Sequence, residues 1–278
     1  MLMRFLRTTA IVLAALSLTG CSTFLGASKA DEQRADDLGV RINELPGVEE
    51  AWASYSFGFD IGDNLVVSVE PDATIDAAGL VTLAALVEEE VRNSGFNGSQ
   101  RVVRFDLEKD SELVWTVSGD DEFSVLPETE FFARWWSDSR VATIENENVV
   151  LVTLVPGQSV RSMYEEIVAD STEFSIERHL RVDGPGTYML IADRDVFTDE
   201  QLDMAEEIAA LPELNGCSFS QSSDFDGETS SAVYCTVSTL TAAAMGDSVN
   251  VIVDAHGQLD STKVELYDGE WVTTNDVN

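Results

Sequence analysis

Positive charge is what this sequence has least of. Its 278 residues include 16 lysines and arginines against 51 aspartates and glutamates, a formal net charge of −35, and the only lysines are Lys29, Lys109 and Lys263. A surface this acidic repels nucleic-acid phosphates and anionic headgroups, which excludes a nucleic-acid partner. It favours cations or basic partners, or serves only to solvate the chain. Histidine is nearly missing: His179 and His256 lie far apart in the chain, and zinc sites recruit several histidines or cysteines together. No Gly-x-Ser-x-Gly elbow and no glycine-rich nucleotide loop occur. Carboxylate pairs are so numerous by chance that they identify no glycosidase. Asp224, Asp226 and Glu228 alternate in "SDFDGET" but lack the full spacing of a calcium loop, so they read as a turn. Catalytic residues, metal and cofactor are therefore all expected to be none.

Cysteine is scarce as well, and each of the three has a distinct setting. Cys21 ends a segment with Arg4 and Arg7 at its start, an apolar stretch from Ala10 to Leu18, and small residues before the sulfur. That order is a secretory signal peptide over residues 1–20, and its apolar part is short for a membrane span. The string Leu18-Thr19-Gly20-Cys21 resembles the lipobox of bacterial lipoproteins. The resemblance implies cleavage before Cys21, acylation of its thiol (palmitate or a similar chain) and attachment to membrane lipid at the extracytoplasmic face. Two or three acyl chains hold firmly, since each buried methylene adds about 0.8 kcal/mol. The alternatives are a plain signal peptide or a buried helix. The acidity is similar to that of exported lipoproteins of high-GC Gram-positive bacteria, a likeness that carries no function with it. Residues 21–37 are small and polar and read as a lipidated tether.

Cys217 and Cys235 flank the polar "SFSQSSDFDGETSSAVY", which suggests a hairpin stapled by a disulfide, as an extracytoplasmic compartment permits. Metal binding and a reactive thiol pair are the weaker alternatives.

The rest of the chain repeats a pattern. "DAAGLVTLAALVEEEVRN" carries apolar residues three and four apart, the period of an amphipathic helix, with Asp76 as its cap. "QRVVRFDL" and "ELVWTVSG" then alternate, placing Val103 and Phe105 on one strand face and Leu113 and Trp115 on the next. The same order recurs from a weaker helix at 34–45, and again after 127, 159 and 198, where Thr198 and Gln201 form a capping box. A sixth unit is read as a short helix, "STLTAAAMG", followed by strands "VNVIVDAHG" and "TKVELYDG".

The fold class expected is α+β: repeated helix–strand–strand units forming two or three ferredoxin-like antiparallel sandwiches, over 38–122, 123–196 and 197–278. One continuous sheet with helices along one side is the other arrangement the pattern allows. "INELPGVEEAWASY" resembles the helix–turn–strand corner of heavy-metal-associated domains; without their paired cysteines the resemblance implies fold only.

"EFFARWWSDSR" concentrates Phe131, Phe132, Trp135 and Trp136, read as core packing or as a contact surface. Trp52, Trp115 and Trp271 are read as packing residues of the sheet. The function expected is a non-catalytic envelope lipoprotein that binds another envelope protein or the cell wall, or acts as a scaffold. A small-ligand binder assisting transport and a wall-modifying hydrolase are the alternatives.

Overall fold

The computed structural model describes residues 28–58, 62–96, 99–108, 111–117, 125–146, 149–174, 179–184, 188–192, 197–223, 229–238, 241–258 and 261–274. The signal peptide, Cys21 and the trio Asp224, Asp226 and Glu228 lie outside these residues.

A helix followed by two strands occurs six times in succession. The units are α1 Lys29–Asn43, β1 Val48–Gly58 and β2 Gly62–Pro71; α2 Ala77–Arg92, β3 Gln100–Asp106 and β4 Glu112–Val117; and α3 Leu126–Trp136, β5 Val141–Asn146 and β6 Val149–Leu154. They continue as α4 Val160–Glu173, β7 His179–Asp183 and β8 Tyr188–Ala192; α5 Asp199–Ala209, β9 Leu214–Ser223 and β10 Thr229–Val237; and α6 Ala242–Ala255, β11 Thr262–Tyr267 and β12 Trp271–Thr273. Among the described residues no helix is long and apolar enough to cross a membrane.

The helix starts follow from capping chemistry. Asp76, Ser159 and Thr241 each accept a hydrogen bond from the backbone three residues on, and Thr198 does so within the expected capping box with Gln201. The first helix begins earlier than 34. Ser28 caps it, Asp31 and Glu32 sit at its positive end, and Ala35, Leu38 and Ile42 are buried. Residues 29–37 of the expected tether are thus helix. The Pro46-Gly47 corner then turns the chain into β1, with Gly47 at φ +89° where side chains are disfavoured.

The sixth unit corrects a strand assignment. "VNVIVDAHG" is β-branched and reads as a strand, yet its residues from Val249 to Ala255 complete α6. Met245, Val249, Ile252 and Val253 are buried at helical spacing, and Val251 between them is 68% exposed. Burial of one stripe outweighs local propensity.

All twelve strands form one sheet in sequence order. Within a unit the two strands pair antiparallel; between units β2–β3, β4–β5, β6–β7, β8–β9 and β10–β11 pair in parallel. The sheet is therefore mixed: the described strands form the continuous sheet that the pattern also allows, in place of separate antiparallel sandwiches, and β4–β5 and β8–β9 pairing joins the strands on either side of the expected boundaries. The reason is where the crossovers land. Each helix carries the chain to the neighbouring strand position, so adjacent strands run the same way.

One register row gives the layering: Leu113, Asn146, Val150, Leu180, Ala192, Gln221, Ser231 and Thr262 are successive partners, and all are buried. A single sheet face is thus covered, by one layer of helices. Their buried stripes and that face make one apolar cluster, the core of the molecule. Among the described residues the opposite face carries no helix.

Helix neighbours are laced by the few cations. Arg41 bonds Glu90 at 2.8 Å across α1 and α2, Arg134 forms an ion pair with Asp170 at 3.0 Å and Arg140 bonds Glu166 at 2.8 Å from α3 and its end to α4. Arg161 on α4 pairs with Asp203 and Glu206 of α5, and His256 meets Glu207 at 3.0 Å between α6 and α5. Scarce positive charge is placed where acidic helices would otherwise repel one another.

Candidate functional site

The face of the sheet that no helix covers is the part of the molecule available to a partner, and its side chains follow from period-two alternation. On β10 and β11, Val233, Cys235, Val264 and Leu266 point to the helices, so Tyr234, Lys263, Glu265 and Tyr267 point away. Trp271 is the register partner of Tyr267 and shares its side. At the other end of the sheet, Ala53 is buried under α1 and Trp52 faces outward.

Charge on this face is divided. From β1 to β5, Glu50 pairs with Glu70, Asp106 with Glu112, and Glu112 with Glu145, a row of carboxylates across five strands. Arg104 answers part of it by an ion pair with Glu112, and Ser68 donates to Asp106 at 3.1 Å. From β7 to β12 the charges on outward strand positions balance: Arg181 lies 4.0 Å from Asp183, and Lys263 lies 3.0 Å from Glu265. The carboxylate of Glu265 raises the pKa of Lys263 by hydrogen bonding, holding it as an ammonium.

The aromatic residues on the two ends differ. Trp52 is 46% exposed and stands beside the acidic row. Trp271 is 57% exposed and belongs to a cluster: its ring centroid is 5.2 Å from that of Tyr267 and 6.0 Å from that of Tyr234. Thr273 donates to Glu265 at 3.2 Å beside them.

The sequence-derived candidates fall elsewhere. Phe131, Phe132 and Trp135 are buried in the core, and Trp136 packs half-buried against it, so the contact-surface reading of this quartet is corrected to core packing. The cause is the helix period: α3 turns 131, 132 and 135 toward the sheet, and Phe131 meets Phe174 edge-on. Trp115 is core as expected, with its ring 4.9 Å from that of Phe105. Trp52 and Trp271, expected to be packing residues of the sheet, are exposed instead, and Trp271 is the centre of a cluster. The signal available was the parity of "TKVELYDGEWVTT", which puts Tyr267 and Trp271 on one side of a tight hairpin.

Cys217 and Cys235 are direct partners across β9 and β10 with their sulfur atoms at disulfide distance, both on the helix-covered face. They staple the core. His179 is exposed at the start of β7, and His256 ends α6. Tyr164 is buried, which pushes its phenol up to about 12; its oxygen accepts the Phe197 backbone N–H at 3.2 Å. Among the described residues no three His, Cys, Asp or Glu side chains are placed to hold a metal ion.

Comparisons with family models, with curated proteins and with solved structures each find no match to this chain. The open face, with an acidic end and a balanced aromatic end, is the arrangement from which a role has to be argued.

Proposed function

We propose that this chain is a membrane-anchored extracytoplasmic lipoprotein with a non-catalytic role: it binds an envelope protein or the cell wall, or scaffolds between them. The observation that carries the binding role is the uncovered sheet face. Purely parallel sheets are covered on both faces, whereas here, among the described residues, helices cover one face only, and Trp52 and Trp271 are exposed on the other. The lipobox supports the location. In this reading Cys21 is the acylated first residue of the mature chain, and six residues lie between it and the cap of α1 at Ser28. Removing twenty residues also removes Arg4 and Arg7, leaving 258 residues and a net charge near −37. That charge keeps the body off an anionic bilayer while the acyl chains hold it.

The test is the mass of the amino-terminal peptide from the cellular protein. A thioether-linked diacylglycerol on Cys21 is the expected result, and Cys21→Ala should release the chain from the membrane fraction. An intact, unacylated amino terminus in the cytosol overturns the proposal. Crosslinking in intact cells then identifies what the face touches.

A further inference from the structure

Trp271 is more exposed than an indole needs to be for packing, yet it is not loose. It sits opposite Tyr267 in the last hairpin and touches the Tyr234 ring at 90°. Two tyrosine rings brace it while more than half of its surface stays exposed, so little side-chain freedom remains to be lost on binding. Directly beside it, Glu265 takes a hydrogen bond from Thr273 at 3.2 Å and the ammonium of Lys263 at 3.0 Å. An apolar platform thus adjoins a carboxylate, an ammonium and a hydroxyl held in place.

We propose that Trp271, Tyr267 and Tyr234, with Glu265, Lys263 and Thr273 beside them, bind a neutral saccharide. This names a ligand for the binding role proposed above and rests on that reading for where such a ligand is met.

Four observations select this occupant. A pyranose has a face of C–H groups, which packs on an indole, and a rim of hydroxyls, which donate to a carboxylate and accept from an ammonium. The charges on the three strands cancel as Lys263 and Glu265; of the two carboxylates in the adjoining turn, Asp268 is engaged by the Ala242 backbone N–H at 2.7 Å and Glu270 adds a net negative, so the patch offers little to a free cation. An anionic ligand meets the field of a chain at −35. The patch is also small. Three strands span about 10 Å, and Lys263 to Tyr267 about 13 Å, on the order of 100 Å². A stable protein partner covers about 800 Å² and would have to extend across the neighbouring strands, whereas one or two sugar rings fit on the patch alone. A second copy would add its own −35.

The experiment is calorimetric titration of the purified full-length chain with chitotetraose, cellotetraose and maltotetraose, each taken to about 10 mM because surface platforms bind near the millimolar range. Tetramethylammonium chloride and a proline-rich peptide are run alongside. One tetrasaccharide is expected to saturate, with affinity unchanged in about 1 M salt, where the Debye length is about 3 Å. Trp271→Ala should weaken it about tenfold, near the upper end of what one aromatic contact contributes. Trp271→Phe, which keeps a ring in the hairpin, should lie between, and Trp52→Ala should match the native chain.

Failure of all three sugars to bind overturns the proposal. So does equal binding by Trp271→Ala with native circular dichroism. Binding of the ammonium alone, lost in salt, would reassign the patch to a cation, and binding of the peptide alone would reassign it to a protein; either result rejects the saccharide. None of these outcomes alters the acyl mass at Cys21, so the failure of this site and the failure of the lipoprotein reading are told apart.

Discussion

Gly39 lies so close to the edge strand that a methyl group on its Cα would come within 2.9 Å of the backbone nitrogen of Ala53. This contact lets α1 press against β1, where Asn43 also accepts the Ala51 backbone N–H at 2.9 Å and caps part of an otherwise open edge. Gly39→Ala removes a helix-weakening residue, a gain of about 1 kcal/mol, but drives a methyl into main chain that cannot step aside. A net loss of about 1–3 kcal/mol is expected in urea unfolding. Gly79→Ala on α2 is the contrast: it meets the Ile75 side chain and the capping carboxylate of Asp76 rather than main chain, so its cost should be smaller than that of Gly39→Ala.

Inside the core, the Asn146 side chain donates to Glu128 at 2.9 Å, and both residues are buried. Glu128→Ala leaves the amide of Asn146 without that acceptor. Thermal unfolding should report a loss of about 1–3 kcal/mol, while Glu128→Gln, which can still accept, should lose less.

The staple between Cys217 and Cys235 closes a loop with a sequence separation of 18. Cys217→Ser with Cys235→Ser should lower stability by about 3 kcal/mol. Non-reducing peptide mapping of the native protein should recover the two cysteines as one linked fragment.

Acid should act on the α3–α4 seam with two opposite signs. The guanidinium of Arg140 holds Asp138 and Glu166 below the usual carboxylate range by hydrogen bonding. Their contribution is present above the ordinary carboxylate pKa of about 4 and is lost as pH falls through the lowered values. Burial, opposed by Arg134, pushes Asp170 up, so stability from that group is greatest below about pH 4 and declines as pH rises through its folded-state value. Arg140→Gln should therefore cost stability at pH 7, by no more than about 1 kcal/mol for so exposed a pair, and cost progressively less as pH falls below about 4. Asp170→Asn should flatten the profile just above pH 4. Denaturant titrations at stepped pH measure both.

Much of the fold was legible because burial is periodic. Val103, Phe105, Leu113 and Trp115 sit on the faces their alternation predicts, and Val160, Met163, Tyr164 and Ile167 line α4 as their spacing predicts. The parallel joins between units were not legible, since one register cannot be told from another by hydrophobicity alone. Nor was the second half of α6, where β-branched residues fill a helical stripe. The aromatic richness of α3 drew attention inward, to residues that are core. The cluster around Trp271 arises from three strands whose pairing is set by tertiary structure, and the cross-helix partners of Arg140 and Arg161 are equally non-local.

The step from β4 to β5 has a mechanical consequence. Parallel pairing there is confined to Glu112 with Glu145 and Leu113 with Asn146, against six residue pairs from β2 to β3. The Ser111 hydroxyl supplies one extra rung by accepting the Ile144 amide at 3.1 Å. Pulled or warmed, the molecule has a ready-made crease at this line. Amides beside it should exchange with deuterium ahead of those in β2–β3, parting the chain into a smaller amino-terminal block and a larger carboxyl-terminal one before either melts.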